Sequence, residues 1–452
     1  MPDHLNVPYL RLSADDLDVE LRQLEDEGRD AAALRAEFDR VKGLDLQDPA
    51  NQSAAQAMLD HAAGLPMRPD YPYAEPSGLR EIRAARAGPV DLPALRLSSE
   101  QLLDRVHGAW LGRACGCLLG KAVEGWHRPR IWGYLKDAGR WPLSDYFTLN
   151  VPPKVAAKYD VGSRAGHAFI DEVDCMPEDD DTNYTVIGLA VMAGHGRDFT
   201  PLDVARFWMS HLPILHTYSA ERVAYRNLVA GIVPPRSATF RNPFREWIGA
   251  QIRGDFFGYA APGRPELAAE LAWRDASVSH VANGIYGEMW VAAMLAAAFV
   301  TDDVPAVVRA GLAQIPARSR LHESISEVLQ WRAGGVEYDE AVKRIHRRWD
   351  ETSKHDWCHV ISNAAIVAVG LLWGGLDFGR SICRAVQCCF DTDCNGATVG
   401  SILGAVVGAR ALPGKWTEPI HDTMLTGVAG YHRVAVSDLA RQTVDVTASL
   451  HG

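Results

Sequence analysis

The sequence lacks clustered positive charge. Its 452 residues contain 46 Lys and Arg against 57 Asp and Glu, a formal net charge of −11 at pH 7, and no dense basic run is present. Proteins that bind nucleic acids neutralise phosphates with clustered Lys and Arg side chains, so we expect no nucleic-acid partner. The apolar share of 47% and the charged share of 23% are typical of a folded chain with a sizeable core.

Long apolar segments are also lacking. The stretch around "AAIVAVGLLWGG" falls short of the roughly 18 residues that suggest a membrane-spanning helix. The first residues, "MPDHLNVPYLRLSADDLD", show no basic segment followed by an apolar one, which is the pattern of a secretory signal. These absences predict a cytoplasmic protein without a membrane partner.

Paired cysteine motifs are absent too. The eight cysteines are Cys115, Cys117, Cys175, Cys358, Cys383, Cys388, Cys389 and Cys394. Several lie in apolar segments, so we expect buried, reduced thiols rather than disulfides. The segment "HDWCH" brings His355, Cys358 and His359 together, but without paired cysteines it is only a weak indication of structural zinc.

Alternating strand patterns are few, and helical patterns dominate. From "SSEQLLDRVHGAWLGRACGCLLG" onward, long Ala-, Leu- and Val-rich stretches are separated by polar loops. We predict an all-α fold with two parts. Residues 1–97 form an N-terminal helical extension with a Pro-rich connector, and residues 98–452 form the catalytic domain.

Two acidic runs precede apolar helices. In "EDDDTNYTVIGLAVMAG", residues 178–181 are all acidic, and neighbouring carboxylates about 4 Å apart repel by roughly 4 kcal/mol at an effective dielectric of about 20. Taken alone, this run favours helix capping, since Asp and Thr side chains satisfy free N–H groups at a helix start. A second run, "CCFDTDCNGATVGS", places Asp391 and Asp393 before another helix.

The second run has the spelling of a calcium loop but lacks its ligands. Position 12 of an EF-hand loop requires a bidentate Glu, and here that position is Ile402. Two Asp-rich helix starts from distant parts of the chain instead suit Mg²⁺ or Mn²⁺, which prefer hard oxygen ligands. More than four carboxylate oxygens indicate two ions rather than one.

A glycine stripe completes the pattern. In "GAWLGRACGCLLGKAVEGW", the glycines at 108, 112, 116 and 120 recur every four residues, which predicts one helix face in close contact with another helix. Glu124 follows at the same spacing, and we expect its side chain to point into a cleft.

The order GxxxGxxxGxxxGxxxE, then DDT, then a late DTDxxxAxxGxxxGA resembles the ADP-ribosylglycohydrolase family over roughly residues 100–415. The resemblance implies an all-α fold with two Mg²⁺ or Mn²⁺ ions in a cleft, and cleavage of the bond between ribose C1′ and an acceptor. It implies as metal ligands Asp179, Asp180, Asp181, Asp391 and Asp393. The segment "VSHVANGIYGE" is similar to a family segment that holds ADP-ribose, which nominates His280, Asn283 and Tyr286 as substrate contacts.

Three positions depart from the family pattern. Asp179 and Cys394 stand where the family commonly has Thr, and Cys117 stands where it usually has Asp. A thiol is a poor ligand for Mg²⁺. These changes leave open whether the second metal site is weaker, and they leave the substrate open.

The expected chemistry is hydrolysis of a ribosyl bond through an oxocarbenium-like transition state. Glu124, Asp181 and Asp393 form the predicted catalytic set, with Glu124 as the general base that takes a proton from water. The predicted partner is an ADP-ribosylated protein or a small ADP-ribosyl or nucleoside-type substrate; the oligomeric state is not predicted. Two alternatives stay open: a metabolic hydrolase of a small nucleoside or NAD-derived N-glycoside, and a non-catalytic protein that binds ADP-ribose.

The choice among substrates depends on the cleft. The first hundred residues and the loops expected at 233–265 can reshape it. An open cleft suits a modified protein, whereas a covered one suits a small molecule.

Overall fold

A computed structural model of the chain describes residues 7–162 and 168–450. Nearly all of its regular structure is helical, which confirms the predicted all-α class. The first helices are α1 (Ala14–Asp26), α2 (Arg35–Lys42), α3 (Pro49–Ala63), α4 (Leu79–Ala84), α5 (Ser99–Lys121), α6 (Arg128–Asp137), α7 (Pro153–Tyr159), α8 (Asp180–His195), α9 (Pro201–His211), α10 (Ser219–Val229), α11 (Arg236–Thr239) and α12 (Asp255–Ala260).

The second half continues with α13 (Pro265–Ala276), α14 (Ala282–Ala298), α15 (Val304–Leu312), α16 (Arg320–Ala333), α17 (Tyr338–Arg348), α18 (Lys354–Cys358), α19 (Val360–Gly374), α20 (Phe378–Gln387), α21 (Thr392–Val407), α22 (Gly414–Thr417) and α23 (Val436–Ser449). Short 3₁₀ turns lie at Ala32–Leu34, Ile170–Glu172, Gly196–Asp198, Ile214–His216, Gln251–Arg253, Ala409–Ala411 and Glu418–Ile420. Strands β1 (Thr423–Leu425) and β2 (Arg433–Ala435) pair antiparallel, with Thr423 opposite Ala435.

Helices α5 and α21 form an antiparallel pair in direct backbone contact. A Cβ atom added at Gly108, Gly112 or Gly116 would overlap the carbonyl oxygen of Gly404, Gly400 or Gly396, respectively. The glycine stripe therefore packs against a second stripe on α21, which confirms the predicted close helix packing. The C-terminal end of α5 lies beside the N-terminal end of α21, because a Cβ at Gly120 would meet the backbone of Thr392. We call this pair the glycine seam.

The start of α8 is tied to the glycine seam by Arg113, a fully buried side chain on α5. Its guanidinium donates to the backbone oxygen of Asp181 at 2.7 Å and to the Oδ1 atom of the same residue at 3.0 Å. A further ion pair joins Arg113 to Asp255 on α12 at 2.9 Å. The buried guanidinium of Arg113 thereby fixes the N-terminal end of α8 next to α5.

Apolar helices surround this frame. Every residue of α14 and of α19 is buried, as expected for helices that are hydrophobic on all faces. Within the described ranges, no helix combines the length and the apolar character needed to cross a bilayer. All eight cysteines are buried and free, in agreement with the prediction of reduced thiols.

The N-terminal extension has a small apolar core of its own. Twelve buried residues between Leu12 and Ala62 form a cluster that is separate from the main core. Helix α1 begins at a capping box in which Ser13 and Asp16 exchange side-chain to backbone hydrogen bonds. The prediction of irregular loops at 233–265 is only partly right, since α11 and α12 lie within that range. The boundary at residue 97 stays a prediction.

Candidate metal centre

A pocket of about 170 Å³ lies where α5, α8 and α21 meet. It is lined by Lys121, Glu124, Glu178, Asp179, Asp180, Asp391, Asp393, Cys394, Glu221, Ser219, Tyr9, Tyr218, Trp247, Trp357, Cys358, Ile248, Gly249 and Ile252. We call it the acidic pocket. A larger cavity of about 820 Å³ lies elsewhere, beside Trp141 and Tyr338, and none of the predicted site residues lines it.

Local structure explains why the carboxylates converge. Asp179 is the N-cap of α8 and Asp391 is the N-cap of α21, so both acidic runs occupy helix starts. Free N–H groups and the helix dipole favour negative charge at these positions. The glycine seam adds Glu124, just past the end of α5, to the same place. The structure therefore brings five of the predicted residues together in the pocket lining: Glu124, Asp179, Asp180, Asp391 and Asp393. Asp181 lies within ligand distance of Asp393.

Ligand atoms in the acidic pocket lie close enough to share an ion. One group joins Glu124, Asp391 and Asp393, and a second joins Asp181, Asp393 and Cys394, with the ligand atoms of each group within 4.8 Å of one another. The Oδ2 atom of Asp181 and the Oδ1 atom of Asp393 are buried without a hydrogen-bond partner. Unpaired buried carboxylate oxygens are costly unless a cation compensates them. The donor set thus fits divalent cations.

The electrostatics lead to the same conclusion. Burial, reinforced by the neighbouring carboxylates, raises the pKa of Asp180, Asp181 and Asp391 well above the usual range. The negative charge of Asp393 raises the pKa of Glu124, and desolvation by the surrounding pocket raises it further. The Glu124 side chain is exposed, whereas those of Asp391 and Asp393 are buried. Several carboxylates in one small site do not all ionise unless a nearby positive charge compensates their repulsion.

Asp179 already has two partners. Its Oδ1 atom accepts the N–H of Asp181 at 2.9 Å, and its Oδ2 atom accepts Lys121 Nζ at 2.6 Å. Burial opposes ionisation of Asp179, but Lys121 outweighs it and lowers the pKa of this carboxyl. Asp179 therefore serves as helix cap and ion-pair partner, and its role as a metal ligand stays a prediction. The sequence pattern did not single out Lys121. It is the only lysine among the residues that line the acidic pocket.

The cysteine at the family's threonine position lies among the candidate ligands. Cys394 falls within the group formed with Asp181 and Asp393, and Cys117 falls within another formed with Asp179 and Asp181. Burial raises the pKa of both thiols well above the usual range. Neutral thiols are weak ligands for hard ions. Oxygen atoms from the other residues are thus better suited than these thiols to hold a hard divalent cation.

His280, Asn283 and Tyr286 do not line the acidic pocket. Burial lowers the pKa of His280 well below the usual range, and its Nδ1 atom lies 2.8 Å from the Ser279 hydroxyl. Asn283 donates to Glu246 at 3.0 Å, and the Tyr286 hydroxyl donates to the backbone oxygen of Pro76 in the connector. These hydrogen bonds give the three side chains structural partners. Nothing in the geometry brings them to the carboxylates as substrate contacts.

The acidic pocket is lined by aromatic side chains that include Tyr9, Tyr218 and Trp357, and we call these three the aromatic cover. Tyr9 comes from the extension. Arg222 lies over the ring of Tyr9 at 5.6 Å and over that of Tyr218 at 5.2 Å. It also donates to the backbone oxygen of Pro8 at 3.1 Å. Tyr9 has a φ of +69°, a region that non-glycine residues rarely adopt, so surrounding contacts must hold this conformation. No motif in the sequence indicated that Tyr9 reaches the site.

Comparisons with known proteins identify the family through one match. Solved structures that match include one described as an "ADP-ribosylglycohydrolase-related protein complex", with a TM-score of 0.43 and 18% identity, covering 78% of this chain and 99% of that chain. A search of curated proteins finds no match. The family model described as ADP-ribosylglycohydrolase matches residues 98–449. The chain therefore belongs to the ADP-ribosylglycohydrolase family.

Proposed function

We propose that this protein hydrolyses the glycosidic bond at ribose C1′ of an ADP-ribosyl compound, with Mg²⁺ or Mn²⁺ bound in the acidic pocket. The family membership supports a hydrolase of ADP-ribosyl compounds. The observation that carries the metal dependence is the pair of buried, unpartnered oxygens on Asp181 and Asp393, next to Glu124 and Asp391. We place this reaction in the cytoplasm, with neither nucleic acid nor membrane as a partner.

Different residues of the acidic pocket have different roles in this proposal. Asp180, Asp181, Asp391 and Asp393 would hold the ions, two in number in our proposal, and Glu124 stays free for proton transfer. Divalent ions in such a site hold ribose hydroxyls and make water more acidic. Lys121 neutralises Asp179, which keeps the start of α8 rigid rather than repelled from the other carboxylates. The positions of Asp181 and Asp393 are therefore fixed before substrate enters.

Glu124 is the group best placed to move a proton. It is accessible, and the charge of Asp393 raises its pKa. General-base catalysis of this kind contributes typically 10²- to 10⁴-fold to the rate. In our proposal, Glu124 accepts the proton of the water that attacks C1′, while the acceptor group leaves. Asp181 and Asp393 act through the ions that they bind.

The cover favours a small substrate over a modified protein. Ligand pockets are typically about 300–1,000 Å³, whereas the acidic pocket is about 170 Å³. Tyr9, Tyr218 and Trp357 narrow it, and the first of these comes from the extension. A ribose with a compact leaving group fits this space more readily than a folded protein surface. We therefore propose a small ADP-ribosyl or nucleoside-type N-glycoside as the second candidate substrate.

The test is incubation of the purified protein with Mg²⁺ or Mn²⁺ and a substrate panel, with products identified by mass spectrometry. The panel holds ADP-ribosyl-arginine, ADP-ribosyl-serine, NAD and simple nucleosides. Metal-dependent release of ADP-ribose from ADP-ribosyl-arginine or ADP-ribosyl-serine supports the main proposal, and cleavage confined to NAD or simple nucleosides supports the second. Glu124→Gln is the matched variant: it should retain ligand binding and lose turnover. Binding without cleavage in the unmodified protein would replace both with a non-catalytic ADP-ribose-binding role.

A further inference from the structure

A second group of metal-ligand side chains lies outside the acidic pocket, between the extension and the body. Asp26 ends α1, His355 lies on α18, and His359 is the N-cap of α19. Their ligand atoms all lie within 4.8 Å of one another. We call these three residues the joint site. It includes both histidines of the "HDWCH" segment, but its third member is Asp26 rather than Cys358.

Two ring nitrogens of the joint site have no hydrogen-bond partner. The Nε2 atoms of His355 and His359 are buried and unpartnered, and the two side chains are 4% and 3% exposed. Asp26 Oδ2 lies 3.7 Å from His355 Nε2, too far for a hydrogen bond and suitable for a shared ion. Buried polar atoms without partners are destabilising, which indicates a missing ligand.

The surroundings of His355 prepare it for metal binding. Its Nδ1 atom lies 3.0 Å from Asp356 Oδ1, so the carboxylate accepts the Nδ1 proton and leaves the Nε2 lone pair free. Carboxylates that orient metal-binding histidines in this way are a general feature of zinc sites. His359 Nδ1 lies 3.2 Å from the backbone N–H of Ile361. Coordination through His359 Nε2 requires the other tautomer, which gives up this side-chain cap of α19.

The charges around the joint site also favour a cation. Asp26 and Asp356 lie beside two histidines, and the compensating side chain within reach of Asp26 is the half-exposed Arg22 at 3.3 Å. Glu246 lies 3.7 Å from His359 Nε2, but it already accepts from Arg320 and Gln23. Glu246 is thus not a free ligand, and Arg320 compensates its charge.

We propose that Asp26, His355 and His359 bind one divalent transition-metal ion, with Zn²⁺ the favoured class. Two imidazole nitrogens and one carboxylate oxygen suit zinc, whereas Mg²⁺ prefers oxygen donors throughout. The ion joins α1 of the extension to α18, whose Trp357 and Cys358 line the acidic pocket. It fastens the extension, and with it the segment that carries Tyr9, over the pocket.

The test separates the joint site from the acidic pocket by mutation. Metal-free Asp393→Ala protein, which lacks the carboxylate shared by both ligand groups of the acidic pocket, is titrated with Co²⁺, whose visible absorption reports coordination by protein side chains, and then with Zn²⁺ as competitor. We expect one bound ion per chain, displaced by Zn²⁺. Adding His355→Ala should lower the affinity at least tenfold. Adding His322→Ala, a change at a partly buried histidine on α16 outside the site, should leave it unchanged.

Asp26→Asn keeps the side-chain volume and is the second variant in case His355→Ala fails to fold. It should also lose at least tenfold in affinity. Limited proteolysis gives a readout independent of absorption: Zn²⁺ should slow cleavage between residues 7 and 97 in the unmodified protein and in Glu124→Gln, but not in Asp26→Asn. Absence of Co²⁺ binding in Asp393→Ala, or binding unaffected by both joint-site variants, would overturn the proposal. Neither result depends on whether the protein has hydrolase activity.

Discussion

The acidic pocket and the attachment of the extension are built in different ways. The pocket is positioned by backbone against backbone at the glycine seam and by the fully buried Arg113. Helix α1 of the extension is attached through side chains: Arg245 pairs with Glu20 and with Glu27 at 2.7 Å, and Lys354 pairs with Asp16 at 2.7 Å. The connector adds two backbone hydrogen bonds to the body, from Ala74 N–H to Arg318 and from Ala317 N–H to Ala85, both at 2.9 Å. Direct backbone packing allows little displacement, whereas ion pairs between side chains can open. We infer that the chemistry resides in the rigid part and that access is controlled by the separable part.

The largest effect is expected at the rigid part. Asp391→Ala removes a ligand from the group formed with Glu124 and Asp393. Bound metal supplies several kcal/mol of transition-state stabilisation, so activity should fall by roughly 10³-fold or more. The measurement is turnover together with Mn²⁺ affinity by calorimetry. Asp377→Ala is the matched control, because Asp377 is also a helix N-cap but is exposed and does not line the acidic pocket. Equal activity of the two variants would contradict the metal model.

A change in the glycine seam should act on folding. In Gly116→Ala the new methyl group overlaps the backbone oxygen of Gly396, which no side-chain rotation relieves. We expect a loss of about 3 kcal/mol in the free energy of unfolding, at the upper end of overpacking costs.

Urea denaturation of Gly116→Ala and of a control measures this difference. Gly194 lies in α8 with no atom within 4 Å of an added Cβ, so Gly194→Ala should raise the stability by about 0.5–1 kcal/mol through helix propensity. A stable Gly116→Ala protein would show that the seam is looser than its geometry indicates.

The seam and the helix starts could be predicted because their information is local. Glycines at 108, 112, 116 and 120 share one helix face by spacing alone, and Asp at 391 directly precedes a helix pattern. The joint site could not be predicted, since Asp26 and His355 meet only through tertiary packing. The same holds for Lys121, whose role depends on the ion pair with Asp179.

For residues 280–286, the sequence motif did not indicate the contacts that the side chains make in the structure. The segment resembles one that holds substrate in the family, but here its side chains bind Glu246, the connector and Ser279. The role of His280, Asn283 and Tyr286 as substrate contacts stays a prediction, and the connector packs against the same helix. Added segments can thus change what an inherited motif touches, and a motif alone does not show this.

An intermediate effect is expected where the extension meets the body. Arg245→Gln leaves the nearly buried Glu20 without its charged partner, and breaking a buried ion pair from one side typically costs about 3–5 kcal/mol. Arg241 also reaches the extension, pairing with the more exposed Asp60, so Arg241→Gln should cost at most about 1 kcal/mol.

Thermal unfolding and proteolysis of the two variants compare the attachments. We expect early release of the extension in Arg245→Gln, with Mn²⁺ affinity of the acidic pocket retained. Simultaneous loss of metal binding would mean that the acidic pocket and the extension unfold as one cooperative unit. The extension would then not be a separable part of the protein.

The smallest effect is expected at Tyr9, and it bears directly on substrate size. Tyr9→Ala removes a ring from the pocket lining and its contact with Arg222, while leaving the carboxylates in place. Because the ring narrows the entrance without touching the ions, kcat for a nucleoside-sized substrate should change little and KM should rise a few-fold. A bulky substrate, such as an ADP-ribosylated peptide, should instead gain in kcat/KM. Tyr9→Phe, which keeps the ring, should behave as the unmodified protein. Steady-state kinetics on both substrates separates the cases: a fall in kcat for both would place Tyr9 in the chemistry, and no change for either would show that the extension does not control access.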